Sequence, residues 1–219
     1  ALDAGGLTLA SVQDDAPYTY AGANGKSVNN YDRRYRGFTT LREAITDSIN
    51  IVTVKTLAQA GVSLGWQYVQ EYGFTTVDSR DMNEALALGG ITQGVSNLEL
   101  TAAYAAIANQ GTYIKPKFYT KILDHDGNVL IDNTTPESHT VIKDTTAWLL
   151  TSAMEDVMTS GTGTSAYFGS SMAQAGKSGT TTSSRDALFA GYTPYYTCAV
   201  WGGYDDNAMQ KGSDTNYPK

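Results

Sequence analysis

Three β-like runs follow one another near the carboxyl end of this chain, and their spacing constrains the fold more than any other feature. The runs cover residues 173–181, 186–193 and 196–204, and Ser-rich and Thr-Pro turns join them. Short connections of this kind join antiparallel neighbours. Because the chain before them has mainly helical spacing, the order predicts an α+β domain with helices packed on a mainly antiparallel sheet.

Two capping boxes locate helices ahead of the sheet. Thr40 with Glu43, and Ser96 with Glu99, have the spacing in which each side chain accepts a hydrogen bond from the other residue's backbone N–H. The helical spacing after Thr40 is interrupted at residues 48–50, where Ser and Asn favour local bonds to the backbone, and then resumes. We therefore predict a tight joint between two helical segments at residues 48–50.

No linker divides the chain, so residues 1–219 are predicted to form one domain. Residues 1–37 are rich in Gly, Asn, Asp and Tyr and read as an irregular lead-in, followed by a mainly helical part over 38–172. An Asp-Gly turn within 119–131 predicts a small hairpin in that part. The strands fall within 173–206, and residues 207–219 are predicted to be a tail.

Composition excludes several classes of partner. The chain has 15 Lys and Arg against 22 Asp and Glu, a formal net charge of −7, so nucleic acid is not an expected partner. One cysteine and two histidines make neither a disulfide scaffold nor a zinc site, and no metal or cofactor is predicted. The longest apolar run, 102–108, is far shorter than the ~20 residues that cross a bilayer. No membrane span is predicted in this chain.

Two short motifs carry chemical groups. Lys177-Ser178-Gly179-Thr180 lies on the first predicted strand, and Ser48-Ile49-Asn50 lies in the predicted joint. Either motif alone is most often an exposed strand end or a helix cap with a turn. In this order, however, they resemble the K-[TS]-G and S-x-N signatures of the penicillin-binding protein and serine β-lactamase superfamily.

The resemblance extends over nearly all of residues 37–206. Leu88-Gly89-Gly90, the segment 94–111, Ser160-Gly161-Thr162-Gly163-Thr164 and the segment 187–205 are similar to high-molecular-weight transpeptidase domains, most closely those of the bifunctional, class A penicillin-binding proteins. The resemblance implies a D,D-transpeptidase that cross-links peptidoglycan stem peptides ending in D-Ala-D-Ala through a serine acyl-enzyme and is inhibited by β-lactams. It also implies a place at the extracytoplasmic face of the bacterial membrane, with a glycosyltransferase domain and a membrane anchor upstream.

The resemblance assigns a role to each matching residue. Ser48 is expected to move a proton, Asn50 to hydrogen-bond the substrate backbone and the catalytic lysine, and Lys177 to place a fixed positive charge in the site. These three side chains should therefore converge across a groove, although Ser48 and Lys177 are far apart in the sequence.

The remaining residues of the K-[TS]-G motif are expected to hold the substrate. The hydroxyls of Ser178 and Thr180 should bind its terminal carboxylate, and the N–H of Thr180 should form half of the oxyanion hole. A side chain at Gly179 would obstruct a peptide lying along the strand. Because such a peptide needs a free sheet edge, this strand should lie at the edge, with the other two on its far side.

The nucleophile motif of the superfamily, S-x-x-K, is absent, since no Ser in the chain has Lys three positions later. We expect the chain to begin just after that motif, so that the fold is incomplete at its amino end and the chain by itself is inactive. One alternative is a natural homologue that has lost the motif. Another is a non-catalytic module of the same fold that senses peptidoglycan or β-lactams.

Two further readings are less consistent with the sequence. Gly176-Lys177-Ser178 matches the end of a phosphate-binding P-loop, but position 171, which would need glycine, is Ser171, and the segment after it leads into a strand rather than a helix. Aromatic residues at helical or strand spacing suit a core better than a glycan-stacking surface. These aromatic residues are Trp66, Tyr68, Tyr72, Trp148 and Trp201.

Overall fold

Within residues 1–4, 6–21 and 26–210, which the computed structural model describes, helices and short strands alternate before a final sheet. The helices are α1 (Leu41–Thr46), α2 (Asn50–Ala60), α3 (Val62–Glu71), α4 (Asn97–Ala108) and α5 (Asp144–Thr159). The strands are β1 (Val12–Asp15), β2 (Tyr18–Thr19), β3 (Ser27–Val28), β4 (Gly37–Thr40), β5 (Thr112–Ile114), β6 (Lys121–Leu123), β7 (Val129–Asp132), β8 (Ser138–Thr140), β9 (Ala175–Thr180), β10 (Asp186–Tyr192) and β11 (Thr197–Gly203).

The largest sheet consists of the last three strands in the order β11-β10-β9, all antiparallel. Helix α5 packs on β9, and α4 packs on β10 and β11. Met154 of α5 meets Ala175 and Tyr192 of the sheet in one buried apolar cluster. The structure therefore confirms the predicted α+β class, and the three strands lie within two residues of their predicted bounds.

The predicted joint at residues 48–50 is also present. The capping box of Thr40 and Glu43 starts α1, and α2 begins at Asn50. Ser48 between them has a φ of 58°, which residues other than glycine rarely adopt. Ile49 is fully buried against Leu41 and Val52, and this burial holds the chain in its sharp turn.

The prediction of an irregular lead-in over residues 1–37 is wrong in part. Strand β1 pairs with β4, with Val12 opposite Thr40, and β2 pairs with β3. The segment of β1 lacks apolar alternation, and its partner β4 follows only after β2 and β3, so no local pattern indicates the pairing. The pairing of β5 with β8 escaped prediction for the same reason. The hairpin of β6 and β7 lies where the Asp-Gly turn predicts it, with Gly127 at a φ of 86°.

Two of the aromatic residues assigned to the core are exposed. Trp148 on α5 is 68% exposed and Trp201 on β11 is 41% exposed, so the prediction of burial is wrong for both. Trp66 is half-buried and donates its indole N–H to the carbonyl of Asp78 at 2.9 Å. Of the predicted tail, residues 211–219 lie outside the described part of the chain. In the described part, no helix has both the length and the apolar character that a bilayer crossing needs.

A buried polar cluster connects the lead-in to the start of α2. Asn30 Nδ2 donates to Asp15 Oδ1 at 2.8 Å, and the N–H of Arg36 donates to Asp15 Oδ2 at 2.9 Å. Asn30 Oδ1 accepts the N–H of Ile51 at 3.2 Å. Since the first N–H groups of a helix have no partner within it, Asn30 provides α2 with a cap from a distant segment.

Replacement of Asn30 by Ala should destabilise the chain by roughly 2–3 kcal/mol, because it leaves the Asp15 carboxylate and the Ile51 N–H buried without this partner. Asn29→Ala is the matched control, since the Asn29 side chain is exposed, and we expect it to change the free energy of unfolding by less than about 0.5 kcal/mol. Urea unfolding of both variants measures the difference. Equal effects would show that the cap does not stabilise α2.

Candidate functional site

The two sequence motifs meet in the folded chain. Lys177 Nζ donates to Ser48 Oγ at 2.8 Å and to the carbonyl oxygen of Ser178 at 3.1 Å. Lys177 shares a sheet face with Ala190 and Ala199, its cross-strand neighbours, and this face packs on the helices. The structure thus brings Lys177 on β9 to the joint between α1 and α2.

Burial changes the acid–base behaviour of this lysine. Removal of the ammonium group from water lowers the pKa of Lys177 to about 8. The group is therefore mostly protonated at pH 7 and mostly neutral at pH 9. A lysine with such a pKa can hold an anion at neutral pH and can exchange its proton at little cost.

Asn50 does not join this contact. Its Nδ2 donates to the backbone carbonyl of Asn29 at 2.8 Å rather than turning toward Lys177. As the first residue of α2, Asn50 lies beside the segment that caps the helix through Asn30. The expected convergence therefore holds for Ser48 and Lys177, and the structure gives Asn50 a different partner.

The hydroxyl of Ser178 also has a partner. Ser178 Oγ donates to Thr162 Oγ1 at 2.7 Å, and the N–H of Thr162 donates to the carbonyl of Thr46 at 3.3 Å. The loop over residues 160–164 thus lies between β9 and the end of α1. Sequence reasoning named this loop only as part of a resemblance and missed Thr162 as a site residue, because no local pattern pairs two hydroxyls in separate segments.

The rest of the motif is open. Ser178 and Thr180 lie on the same face of β9, and the Thr180 side chain is exposed. A Cβ added at Gly179 would lie 3.6 Å from Leu188 Cβ, which is ordinary contact, so the chain itself does not demand glycine there.

Strand β9 lies at the edge of its sheet, as the sequence predicts. It pairs with β10, and no other strand in the described ranges pairs with its opposite side. The backbone groups on that side can bind an extended peptide as an added strand. Gly176-Lys177-Ser178 lies inside β9, which leads through a single 3-10 turn to β10, so the geometry of a P-loop is not present.

An apolar cavity of about 310 Å³ lies between α1, α2, α3 and α5, and the first three residues of the chain also line it. A second cavity of about 220 Å³ continues between α2 and α3 toward Leu57 and Leu64. Five lining residues belong to both cavities: Ala1, Thr53, Thr56, Gly65 and Tyr68. Ser48 and Lys177 line neither cavity. The first cavity is lined mainly by aliphatic side chains, which include Leu41, Ala44, Ile45, Val52, Ile142 and Leu150.

Titratable groups elsewhere do not form a metal site. Across the residues that the structure describes, no three His, Cys, Asp or Glu side chains lie where they could share a metal ion. Asp3, which lines the larger cavity, instead accepts hydrogen bonds from the Tyr68 hydroxyl at 2.6 Å and from the N–H of Lys143 at 2.8 Å. This contact raises the pKa of Tyr68 to about 12.

Comparison with known proteins gives consistent matches. The family model of the penicillin binding protein transpeptidase domain matches residues 1–216. Penicillin-binding protein 1F of Bacillus subtilis (strain 168) is 41% identical over 197 residues, which are 86% of this chain and 27% of that protein. Penicillin-binding protein 1A of Clostridium perfringens (strain 13 / Type A) is 35% identical over 216 residues, which are 94% of this chain and 32% of that protein.

Both relatives are class A penicillin-binding proteins, and the chain spans about a third or less of their length. Among solved structures, penicillin-binding protein 1A from Haemophilus influenzae has a TM-score of 0.84 at 27% sequence identity. That match covers 96% of this chain and 37% of the other.

Replacement of Lys177 by Met should stabilise the fold. An unfolded lysine titrates near 10.5 and Lys177 near 8, so the charged form costs folding free energy below pH 8, and the cost shrinks between pH 8 and 10.5. We expect Lys177→Met to be more stable than the parent chain by roughly 1–3 kcal/mol at pH 7 and by less at pH 9.5.

Urea unfolding at the two pH values tests this expectation. The control is Lys121→Met on the exposed hairpin, which should change the free energy of unfolding by a similar small amount at both pH values. A stability gain for Lys177→Met that is larger at pH 9.5 than at pH 7 would contradict the assigned cost.

Proposed function

Because the chain belongs to the penicillin-binding protein transpeptidase family, we propose that it forms most of the D,D-transpeptidase domain of a longer class A enzyme. Peptidoglycan synthesis and β-lactam binding are properties of this family. The proposed substrates are peptidoglycan stem peptides that end in D-Ala-D-Ala, and β-lactams are the proposed inhibitors. The observation that carries the proposal is the hydrogen bond between Lys177 and Ser48, which joins the two motifs.

The proposed reaction proceeds in two steps through a serine ester. A serine hydroxyl attacks the carbonyl of the penultimate D-Ala, its proton leaves, and the C–N bond to the last D-Ala breaks as that amine gains a proton. The amine of a second stem peptide then attacks the ester and releases the serine. A neighbouring hydroxyl that both accepts and donates can carry the proton between these groups.

Ser48 suits that task because Lys177 fixes its orientation. The Lys177 ammonium donates to Ser48 Oγ, so the hydroxyl hydrogen of Ser48 must point away from the lysine. We assign Ser48 to proton transfer and Lys177 to a positive charge that favours anionic groups. The side-chain carbonyl of Asn50 and the second hydrogen of its Nδ2 are assigned to the substrate backbone, since the first hydrogen already binds the carbonyl of Asn29.

Binding of the substrate is assigned to β9. Ser178 and Thr180 present hydroxyls on one face at the free edge, where the terminal carboxylate of a stem peptide would lie near the charge of Lys177. The N–H of Thr180 is assigned to the oxyanion hole. The ordinary room at Gly179 supports a peptide that passes close to the strand there.

The nucleophile is proposed to lie outside these 219 residues. No Ser here has Lys three positions later, and the chain spans about a third or less of its curated relatives. The apolar cavity between α1, α2, α3 and α5 supports a further apolar segment packed against these helices, because burial of its apolar lining by such a segment would be favourable. We assign that cavity to the helix that carries the nucleophile. The whole protein is proposed to act at the extracytoplasmic face of the bacterial membrane.

The proposal predicts that the 219-residue chain forms no covalent adduct with a fluorescent penicillin. A longer protein from the same gene that includes an S-x-x-K segment should be labelled, and Lys177→Ala in that protein should slow labelling by at least about tenfold. Gel fluorescence and intact-mass spectrometry read both results. An adduct on the 219-residue chain would mean that a different residue is the nucleophile, whereas an unlabelled longer protein would favour the non-catalytic sensor.

A second prediction concerns pH. The affinity of the chain for a peptide ending in D-Ala-D-Ala should fall by roughly tenfold between pH 7 and pH 9, as Lys177 loses its charge with a pKa of about 8. Titration followed by NMR chemical shifts measures the affinity, and Lys177→Met should remove the pH dependence. Affinity that stays constant over this range would remove Lys177 from the carboxylate site.

A further inference from the structure

The hydroxyls of Ser178 and Thr162 form a close pair beside the proposed carboxylate site. Ser178 Oγ is the donor and Thr162 Oγ1 the acceptor, at 2.7 Å, and both residues are half-buried. The proposed function gives Ser178 a role and gives Thr162 none. Any role of Thr162 in ligand binding would therefore act through this contact with Ser178.

The loop around Thr162 has little freedom to move. A Cβ added at Gly161 would lie 2.2 Å from the carbonyl oxygen of Thr46, so the backbone passes α1 at a distance that only glycine permits. Gly163 is buried, and its N–H donates to the carbonyl of Val157 at 2.9 Å. With a glycine tightly packed on each side, Thr162 has a position that the loop fixes independently of Ser178.

Two hydrogen-bonded connections join the end of α1 and the joint after it to adjacent residues of β9. One runs directly from Ser48 to Lys177, and the other runs from Thr46 through Thr162 to Ser178. Each connection crosses between segments that are distant in the sequence. Together they fix the distance from β9 to the joint and the position of the Ser178 oxygen, while the Ser178 hydroxyl hydrogen can still rotate.

The direction of the hydrogen bond matters for an anionic ligand. A carboxylate has no hydrogen to give, so Ser178 can bind it only by turning its hydrogen toward it and away from Thr162. The Ser178 oxygen would then accept the hydroxyl hydrogen of Thr162, and each bond in such a chain strengthens the next. A side chain without a hydroxyl at position 162 cannot make this reversal.

We infer that Thr162 is a positioning residue that acts through Ser178 to favour ligands with a terminal carboxylate. This inference rests on the proposed function, in which Ser178 binds the carboxylate of the stem peptide. It assigns specificity to a loop outside both sequence motifs. Thr162 itself need not touch the ligand.

The test compares two peptides, one ending in D-Ala-D-Ala and the other its carboxyl-terminal amide, with the 219-residue chain at pH 7. Thr162→Val should lower the affinity for the carboxylate peptide by about 5- to 10-fold, which is the effect of one hydrogen bond to a charged network. It should change the affinity for the amide peptide by less than twofold. Thr162→Ser should restore the carboxylate affinity. Thr164→Val, in the same loop with an exposed side chain, is the matched control and should leave both affinities unchanged.

Ser178→Ala separates this inference from the proposed function. If Ser178→Ala lowers the affinity for the carboxylate peptide but Thr162→Val does not, the positioning role is overturned and the carboxylate site stands. If Thr162→Val weakens both peptides equally, its role is packing, and the inference is also overturned. If the carboxylate peptide does not bind the parent chain, or binds it and Ser178→Ala equally well, the proposed carboxylate site fails, and the inference fails with it.

Discussion

Burial of one side chain, Ile49, fixes the turn on which the site depends. Its side chain is completely enclosed, with Leu41 and Val52 among its neighbours, and the preceding residue has a left-handed backbone conformation. Ser48 takes it, at a cost of order 1 kcal/mol or more that the burial of Ile49 offsets. The turn then directs the Ser48 hydroxyl to Lys177 on β9. An apolar contact thus determines where a polar group lies.

The opposite balance applies to Lys177. Its burial is unfavourable to the fold, because the ammonium group loses its contact with water, and the same loss lowers the pKa of Lys177. A hydrophobic residue of similar length would fit this face of the sheet, beside Ala190, without that cost. A buried lysine whose charge lowers stability is typical of a functional site rather than of a packing position. The motif and the energetics therefore point to the same residue.

Local signals predict most of the helices and the final sheet, and the family resemblance predicts the distant contact between Ser48 and Lys177. Other long-range pairings escaped prediction. The Thr40 and Ser96 capping boxes and the three closely spaced strands each act within a few residues, and the structure contains all of them. The pairing of β1 with β4 and the bond between Ser178 and Thr162 join distant segments that carry no matching pattern. The exposure of Trp148 differs from the prediction because helical spacing shows which residues share a face but not whether another element covers that face.

The separation of Ser48 and Lys177 by 129 residues also governs when the site can form. A contact that closes so long a loop is expected late in folding, after α1, α2 and the hairpin of β9 and β10 have each formed from nearby residues. Partly folded forms would hold either the serine or the lysine in place, but not both together. The pairing of these two groups is therefore a property of the finished fold, and a nascent or misfolded chain would lack it even where its helices are complete.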